Sequence, residues 1–325
     1  MGPPERSTTF WFNDGNVVLI ADNSVAFRVH RGVLSRNSSV FCDLFELPQP
    51  DGGELMDECP IVHVSDSPLE LSRLLQAIYD GARVFKHGER LPFGNVAVLV
   101  ELGHKYNVEH VKTEGLNRMK TCFCHSWSTL QSTAKFMTIS LADGAKEAGL
   151  VSASLVVVPS RDAIRAVNLI RLVDQPSMLP VALFLCTLLP IDKLLSGTES
   201  NRGLDTLPRE DLVRCLEART TLALRSLKAR ERVWATPCSD RCLHNRRCMD
   251  PILARVEIEQ QSRNISTGGH AFTSRESGIM RLEGVCKECM QTLLARSTEE
   301  TRFIWEMLPG DFGLEIPEWD SAVAP

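Results

Sequence analysis

The stretches Asp14-Gly-Asn-Val-Val-Leu-Ile-Ala21 and Phe27-Arg-Val-His-Arg-Gly-Val-Leu34 decide how this chain is read. Val17 to Ile20 is a short apolar run, and Asp22-Asn-Ser24 after it has turn chemistry. In Val25 to His30 the apolar residues Val25, Phe27 and Val29 alternate with smaller or polar ones. Two strands joined by a tight polar turn make a β-hairpin. The period then changes. Val33, Leu34, Phe41, Leu44 and Phe45 fit one or two short helices, with Ser38 or Ser39 as N-cap before Phe41.

Working outward, a Pro/Gly/Asp-rich loop at Pro48 to Asp57 precedes a strand candidate, Pro60-Ile-Val-His-Val64. The clearest helix start of the chain follows. Asp66 or Ser67 caps it, Pro68 suits the first helical position and Glu70 lies in the first turn. Leu71, Leu74, Leu75 and Ile78 form one stripe, and Gly81 sits where a left-handed terminator is wanted. Val96, Leu99, Val100 and Tyr106 mark a further helix, Val111, Leu116 and Met119 another, with Asn107 as the stop between them.

This order of elements, carried by 14–21, 27–34 and Ser39-Val-Phe41, resembles the BTB/POZ family. Ile61 to Val64, Leu71 to Tyr79 and Leu102-Gly-His-Lys-Tyr-Asn-Val108 resemble its later strand, central helix and apolar-x-x-x-Tyr-x-Val element. The resemblance covers residues 10–125. Gly103 and His104 depart from it, as does the length of the Pro48–Asp57 loop. It implies an α+β N-terminal domain, a short sheet capped by a helical cluster, followed by a mainly α-helical C-terminal region. It also implies a protein–protein interaction module that self-associates as a homodimer or serves as adaptor or scaffold, for instance for a cullin-type ubiquitin ligase. In this pattern His30, His63 and His104 are packed, hydrogen-bonded structural residues.

Bulk properties agree. With 325 residues and 43% hydrophobic content, the chain has material for two or three domains. A net charge of −5 argues against bulk electrostatic binding of nucleic acid. The N-terminus has no apolar signal region. Gly2 is not a myristoylation site, because Arg6 stands where Ser or Thr is wanted. Val181 to Leu189, the most apolar stretch, is bracketed by Pro180 and Pro190 and is too short to span a bilayer, so a buried helix is expected there. No membrane association and a cytoplasmic or nuclear location follow, with the eleven cysteines mostly reduced.

Residues 126–235 read as helical throughout. Ala163, Val167, Ile170 and Val173 form one stripe, Asp211 to Arg232 is a long helix, and Ser196 to Thr206 is an exposed polar loop. Arg225 to Arg232 and Arg241 to Arg247 are basic. A solvated helix face is the plainer reading, since Glu231 and Asp240 interrupt the charge and Trp234 alone interleaves. Cys122 and Cys124 read as packed thiols.

In the Cys-rich part, 236–325, the spacing carries chemistry. Cys238-x₃-Cys242 and Cys286-Lys-Glu-Cys289 are two close pairs, and two such pairs complete the tetrahedral shell that zinc prefers. Cys248 substitutes for Cys242, or His244 for either, as alternates. Unrelated thiols are the equal-weight rival. A redox dithiol at 286–289 lacks a βαβ context, and no motif orients Cys286 toward His270 for nucleophilic catalysis. A zinc-stabilised transcription regulator is the alternative function. The segment Ile304 to Trp319 is too apolar for a free tail and is expected to dock on the body; it resembles the tail of many fungal BTB-domain proteins. No phosphate loop, Gly-x-Ser-x-Gly elbow or His-Glu-x-x-His motif is present, and no reaction is expected.

Overall fold

A computed structural model describes residues 3–47, 53–81, 84, 89–141, 144, 146–200, 203–235, 239–242, 245–261, 272, 276–317 and 319–320. The chain divides into two compact units, 1–120 and 121–325.

The first unit contains β1 (Glu5–Trp11), β2 (Val17–Ala21), β3 (Val25–Val29), α1 (Arg31–Asn37), α2 (Ser39–Glu46), β4 (Leu55–Met56), β5 (Cys59–Val64) and α3 (Pro68–Asp80). It ends with β6 (Leu91–Pro92), α4 (Phe93–Lys105) and α5 (Glu109–Lys120). The expected hairpin is present: Val17 pairs with Val29 and Ala21 with Val25 in antiparallel register, and Asp22 and Asn23 turn at φ 42° and 51°. β5 adds parallel to β2, and β1 adds parallel to β3, giving the strand order β1-β3-β2-β5-β4.

All five residues of β2 are buried, so both faces of the sheet are covered. Val17, Leu19 and Ala21 face the helices and join a core with Phe27, Leu71 and Leu74. Val18 and Ile20 face the other way and pack with Ala26, Cys59 and Trp11. Strand alternation explains the aromatic tract at 9–12: Phe10 and Phe12 join the helical core, whereas Trp11 joins the opposite face. Arg6 lies over the Trp11 ring at 4.7 Å and reaches Asp57 at 2.8 Å. The tract therefore packs on its own unit.

The helix signals are used as expected. Ser38 accepts from the Phe41 N–H, Ser67 from the Glu70 N–H, and Gly81 and Asn107 take φ of 49° and 51°. His30 is held by Asp14 at 3.2 Å and the Tyr79 hydroxyl at 3.1 Å. His63 contacts Glu54 and Asn23 but is exposed rather than packed. His104 also lies on the exposed side of α4 and is not packed; its position on that helix points it to solvent. The departure at Gly103 has a physical cause. A Cβ there would stand 2.9 Å from the backbone nitrogen of Lys112, because α5 crosses α4 at this point.

The second unit contains α6 (Trp127–Thr133), β7 (Ala134–Ser140), β8 (Lys146–Ser152), β9 (Leu155–Val157), α7 (Pro159–Leu172), α8 (Leu179–Thr187) and α9 (Ile191–Ser196). The hairpin β10 (Thr198–Ser200) and β11 (Gly203–Asp205) follows, then α10 (Arg209–Trp234), α11 (Asn245–Gln261), α12 (Glu276–Met280) and α13 (Lys287–Asp311). It is mainly helical, but the expectation of helix throughout 126–235 fails. β7, β8 and β9 form an antiparallel meander, with Ala134 opposite Ser152 and Leu150 opposite Val157. The β-branched run at 156–158 favours strand over helix. The 196–206 stretch is likewise a hairpin rather than a featureless loop, and Thr198 in it is buried.

α8 is buried at every residue, as expected of Val181 to Leu189. α10 and α13 pack along each other, tied by a bidentate pair from Arg225 to Asp311 at 2.7 and 2.8 Å and by Arg232 to Glu300 at 3.2 Å. These pairs neutralise part of the basic run. Cys122 and Cys124 are buried thiols. The C-terminal segment docks: Trp319 stacks on Trp305 with centroids 4.5 Å apart and donates its indole N–H to the Trp305 carbonyl. Among the described residues, no helix is long and apolar enough to cross a membrane.

Gly103→Ala is expected to destabilise the first unit by about 1–3 kcal/mol through backbone overpacking. Gly94→Ala, in the first turn of α4 with nothing within 4 Å of its Cβ position, is expected to raise stability by up to about 1 kcal/mol. Thermal unfolding of the two variants checks the contrast, and equal shifts contradict it.

Candidate metal centre and interaction face

Four thiols converge in the second unit. The sulfur atoms of Cys242, Cys248, Cys286 and Cys289 all lie within 4.8 Å of one another, with Cys242 and Cys286 3.8 Å apart. Three of these are residues that the paired spacing singled out, and Cys248 is the alternate to it. Cys238, His244 and His270 lie outside the described residues.

Local structure explains the convergence. Cys242 follows a turn closed by its own N–H to the Ser239 carbonyl at 2.9 Å. Cys248 sits in the first turn of α11, as its fourth residue. Cys286 is the N-cap residue of α13, and Cys289 lies one turn into that helix. Two helix starts and one turn thus aim sulfur at one point. Beneath them Val233, Trp234, Ile252, Ile279 and Leu293 form a small apolar cluster.

The electrostatics favour thiolate in part of the set. The backbone N–H of Cys289 and the neighbouring thiols lower Cys286 to about 7. Its place at the start of a 25-residue helix adds the positive end of the helix dipole. Burial raises Cys289, although the Ser239 N–H donates to its sulfur at 3.3 Å. Burial also raises Cys248, which accepts the Cys286 N–H at 3.3 Å. Backbone N–H groups donating to ligand sulfur orient a metal site and temper its charge.

Four thiolates around zinc at about 2.3 Å define a tetrahedron whose sulfur–sulfur edges are about 3.8 Å. The 3.8 Å edge between Cys242 and Cys286 meets that value, and the others need shifts of an ångström or less. Such a set suits a single soft or borderline cation rather than calcium or magnesium, which take oxygen ligands. Cluster ligands bind different irons and are spread more widely, so the compact set favours a mononuclear centre. A four-sulfur shell leaves no open position for water, and its chemistry is structural.

The first unit presents a different feature. Val40 on α2 is 38% exposed and Leu47, the extended C-cap residue after it, 61%, while Leu44 packs partly buried against the core with Phe41 and Phe45. Val40 and Leu47 thus leave apolar side chains outside the core at the two ends of the α2 segment. The sequence reading, which placed Val33, Leu34, Phe41, Leu44 and Phe45 on one or two short helices, did not include them.

Comparison with known proteins places the first unit. Residues 12–121 match the family model of the BTB/POZ domain. No curated protein and no solved structure matches the chain. The matched segment carries a BTB/POZ domain, the α+β fold expected from the sequence, and such domains are non-enzymatic protein–protein interaction modules.

Within the four-thiol cluster of metal-free, reduced protein, Cys286 is expected to alkylate first and Cys289 last at neutral pH. Timed alkylation read by peptide mass spectrometry checks the order; Cys289 reacting ahead of Cys286 contradicts it.

Proposed function

We propose that this protein, which carries a BTB/POZ domain over residues 12–121, is a scaffold or adaptor that self-associates through that domain and holds a partner with its helical second unit. The observation that carries the reading is the family match falling on a compact unit of its own. The exposed apolar side chains of Val40 and Leu47 support a protein-binding role, since exposed apolar surface is stabilised by a partner. A two-fold homodimer buries one such patch symmetrically. Recruitment of a cullin-type ligase is the adaptor form of the same reading, and a cytoplasmic or nuclear site of action accords with reduced thiols.

The four-cysteine set serves this role as a structural zinc site. Cys242 and Cys248 bind from the start of the α11 segment, Cys286 and Cys289 from α13. Among the described residues, the cluster beneath has five buried residues with Val256, Leu282, Val285, Met290 and Leu294 packed partly buried against it, a limited core for a segment of this length. Metal binding supplies what that core lacks, because a site absent from the unfolded chain makes binding energy folding energy.

Native mass spectrometry of the full-length chain tests both halves. A dimer with one zinc per chain is expected. A monomer at micromolar concentration removes the self-association branch, and a metal-free reduced chain removes the zinc site. Cys248→Ser and Cys289→Ser are each expected to lose the zinc and to lower the helical signal without changing subunit number. Co-elution with a purified cullin N-terminal region at one copy per chain is the outcome required of the adaptor branch.

A further inference from the structure

The four thiols are not equivalent, and the difference has a chemical consequence. Cys248 and Cys289 are buried, whereas Cys242 and Cys286 are half-exposed. The two accessible sulfurs are 3.8 Å apart, within a set whose sulfurs all lie within 4.8 Å of one another. They come from sequence positions 44 residues apart and from different elements, the turn before α11 and the N-cap of α13. Backbone N–H groups reach three of the four sulfurs: Ser239 donates to Cys289, Cys286 to Cys248 and Cys289 to Cys286. Burial alone separates the pairs, one inside the protein and the other half-exposed to solvent.

We propose that Cys242 and Cys286 are a site of reversible oxidation by hydroperoxides, and that forming a disulfide between them ejects the zinc. The inference rests on the zinc reading given above. The Cys286 thiolate attacks one peroxide oxygen, the O–O bond breaks, and a sulfenic acid and hydroxide result. The Cys242 thiolate then attacks the Cys286 sulfur, the S–O bond breaks, and a second hydroxide leaves. Two thiolates lose two electrons in total, the two peroxide oxygens gain them, and solvent protons convert the hydroxides to water. Zinc itself undergoes no redox change. It is left with two of its four ligands, which is too few for a tetrahedral sulfur site, and it dissociates.

The geometry favours this pair over the alternatives. A disulfide needs the sulfurs to close from 3.8 to about 2.0 Å, a movement within side-chain rotation. A bond from Cys286 to Cys289 requires oxidant access or sulfur movement at a buried atom that the Ser239 N–H holds in place. Loss of the metal removes the tie between the start of α11 and the start of α13. What remains beneath is the five-residue apolar cluster. Oxidation thus loosens the α11 segment, while the first unit contains none of the four cysteines and keeps its fold. A dithiol reductant reverses the disulfide by exchange and lets the zinc return.

The test uses the full-length, reduced, zinc-loaded protein. Zinc content is measured first. Hydrogen peroxide is then titrated in the presence of a chromogenic zinc chelator, and the disulfides are mapped by mass spectrometry without reduction. The expected result is one zinc released per disulfide formed, the disulfide joining Cys242 to Cys286, and full recovery of zinc binding after dithiothreitol and added zinc. A chain that holds no zinc before peroxide overturns the metal reading, and this inference with it. A chain that holds zinc but keeps it while the half-exposed Cys42 is oxidised overturns the inference alone. So does release accompanied by a disulfide to Cys248 or Cys289, or by irreversible sulfinic acid at Cys286 with no disulfide.

Discussion

Burial of β2 on both faces is the constraint around which the first unit is built. A strand that is apolar at every position needs cover above and below. The helices supply one cover through Leu71, Leu74 and their neighbours. The chain supplies the other itself, by running β1 beside β3 so that alternate aromatics fall on opposite faces. Phe10 then packs with the helices and Trp11 closes the far side beneath the Arg6 guanidinium. Because the sheet covers itself, its central strand is not the surface offered to a partner. Among the described residues of this unit, Val40, Leu47, Leu55 and Leu69 leave apolar side chains exposed.

The second unit solves a different problem. α8 is apolar all round and must be surrounded. Phe184 on it meets Phe136 of β7 edge-on at 5.6 Å and Phe272 at 4.8 Å, and Phe272 in turn meets Trp305 of α13 at 6.0 Å. Trp319 closes the series by stacking on Trp305. This aromatic chain explains why the C-terminal segment docks: without it, Trp305 would present a face to water. Charges at the same seam are paired rather than free, with Arg225 on Asp311 and Arg171 on Asp211. A bidentate guanidinium–carboxylate pair fixes helix register as well as neutralising charge.

The first unit was legible because its local signals agree with its tertiary packing. Ser67 before Pro68, the Asp22-Asn23 turn and Gly81 each demand a particular backbone, and each has it. The meander at 134–157 was not legible as strand because its exposed β7 face removes the alternation that period-2 reading needs; Met137 is half exposed beside a half-buried Phe136. The turn glycine Gly144, at φ 84°, and the valine run before Pro159 were the available signals. In the four-thiol cluster, Cys242, Cys286 and Cys289 of the two close sequence pairs lie together, joined by Cys248, which the sequence ranked only as an alternate. Cys248 comes to Cys242 because α11 starts between them.

With the proposed zinc bound, a limited core and a ligand set divide the work of holding the segment. Hydrophobic burial is non-directional and proportional to area, and among the described residues this cluster has five buried and five partly buried apolar residues to supply it. Four sulfur atoms within 4.8 Å of one another are directional and all-or-none, since a tetrahedral site missing one arm has lost most of its geometric advantage. A segment held mainly by burial loosens gradually as contacts are removed. One held by ligation stays in place until a single ligand is lost and then comes away as a unit. In the proposed zinc site Cys242 and Cys286 are half-exposed and Cys248 and Cys289 are buried, so the first two are the ligands that a small reactive molecule reaches from solvent.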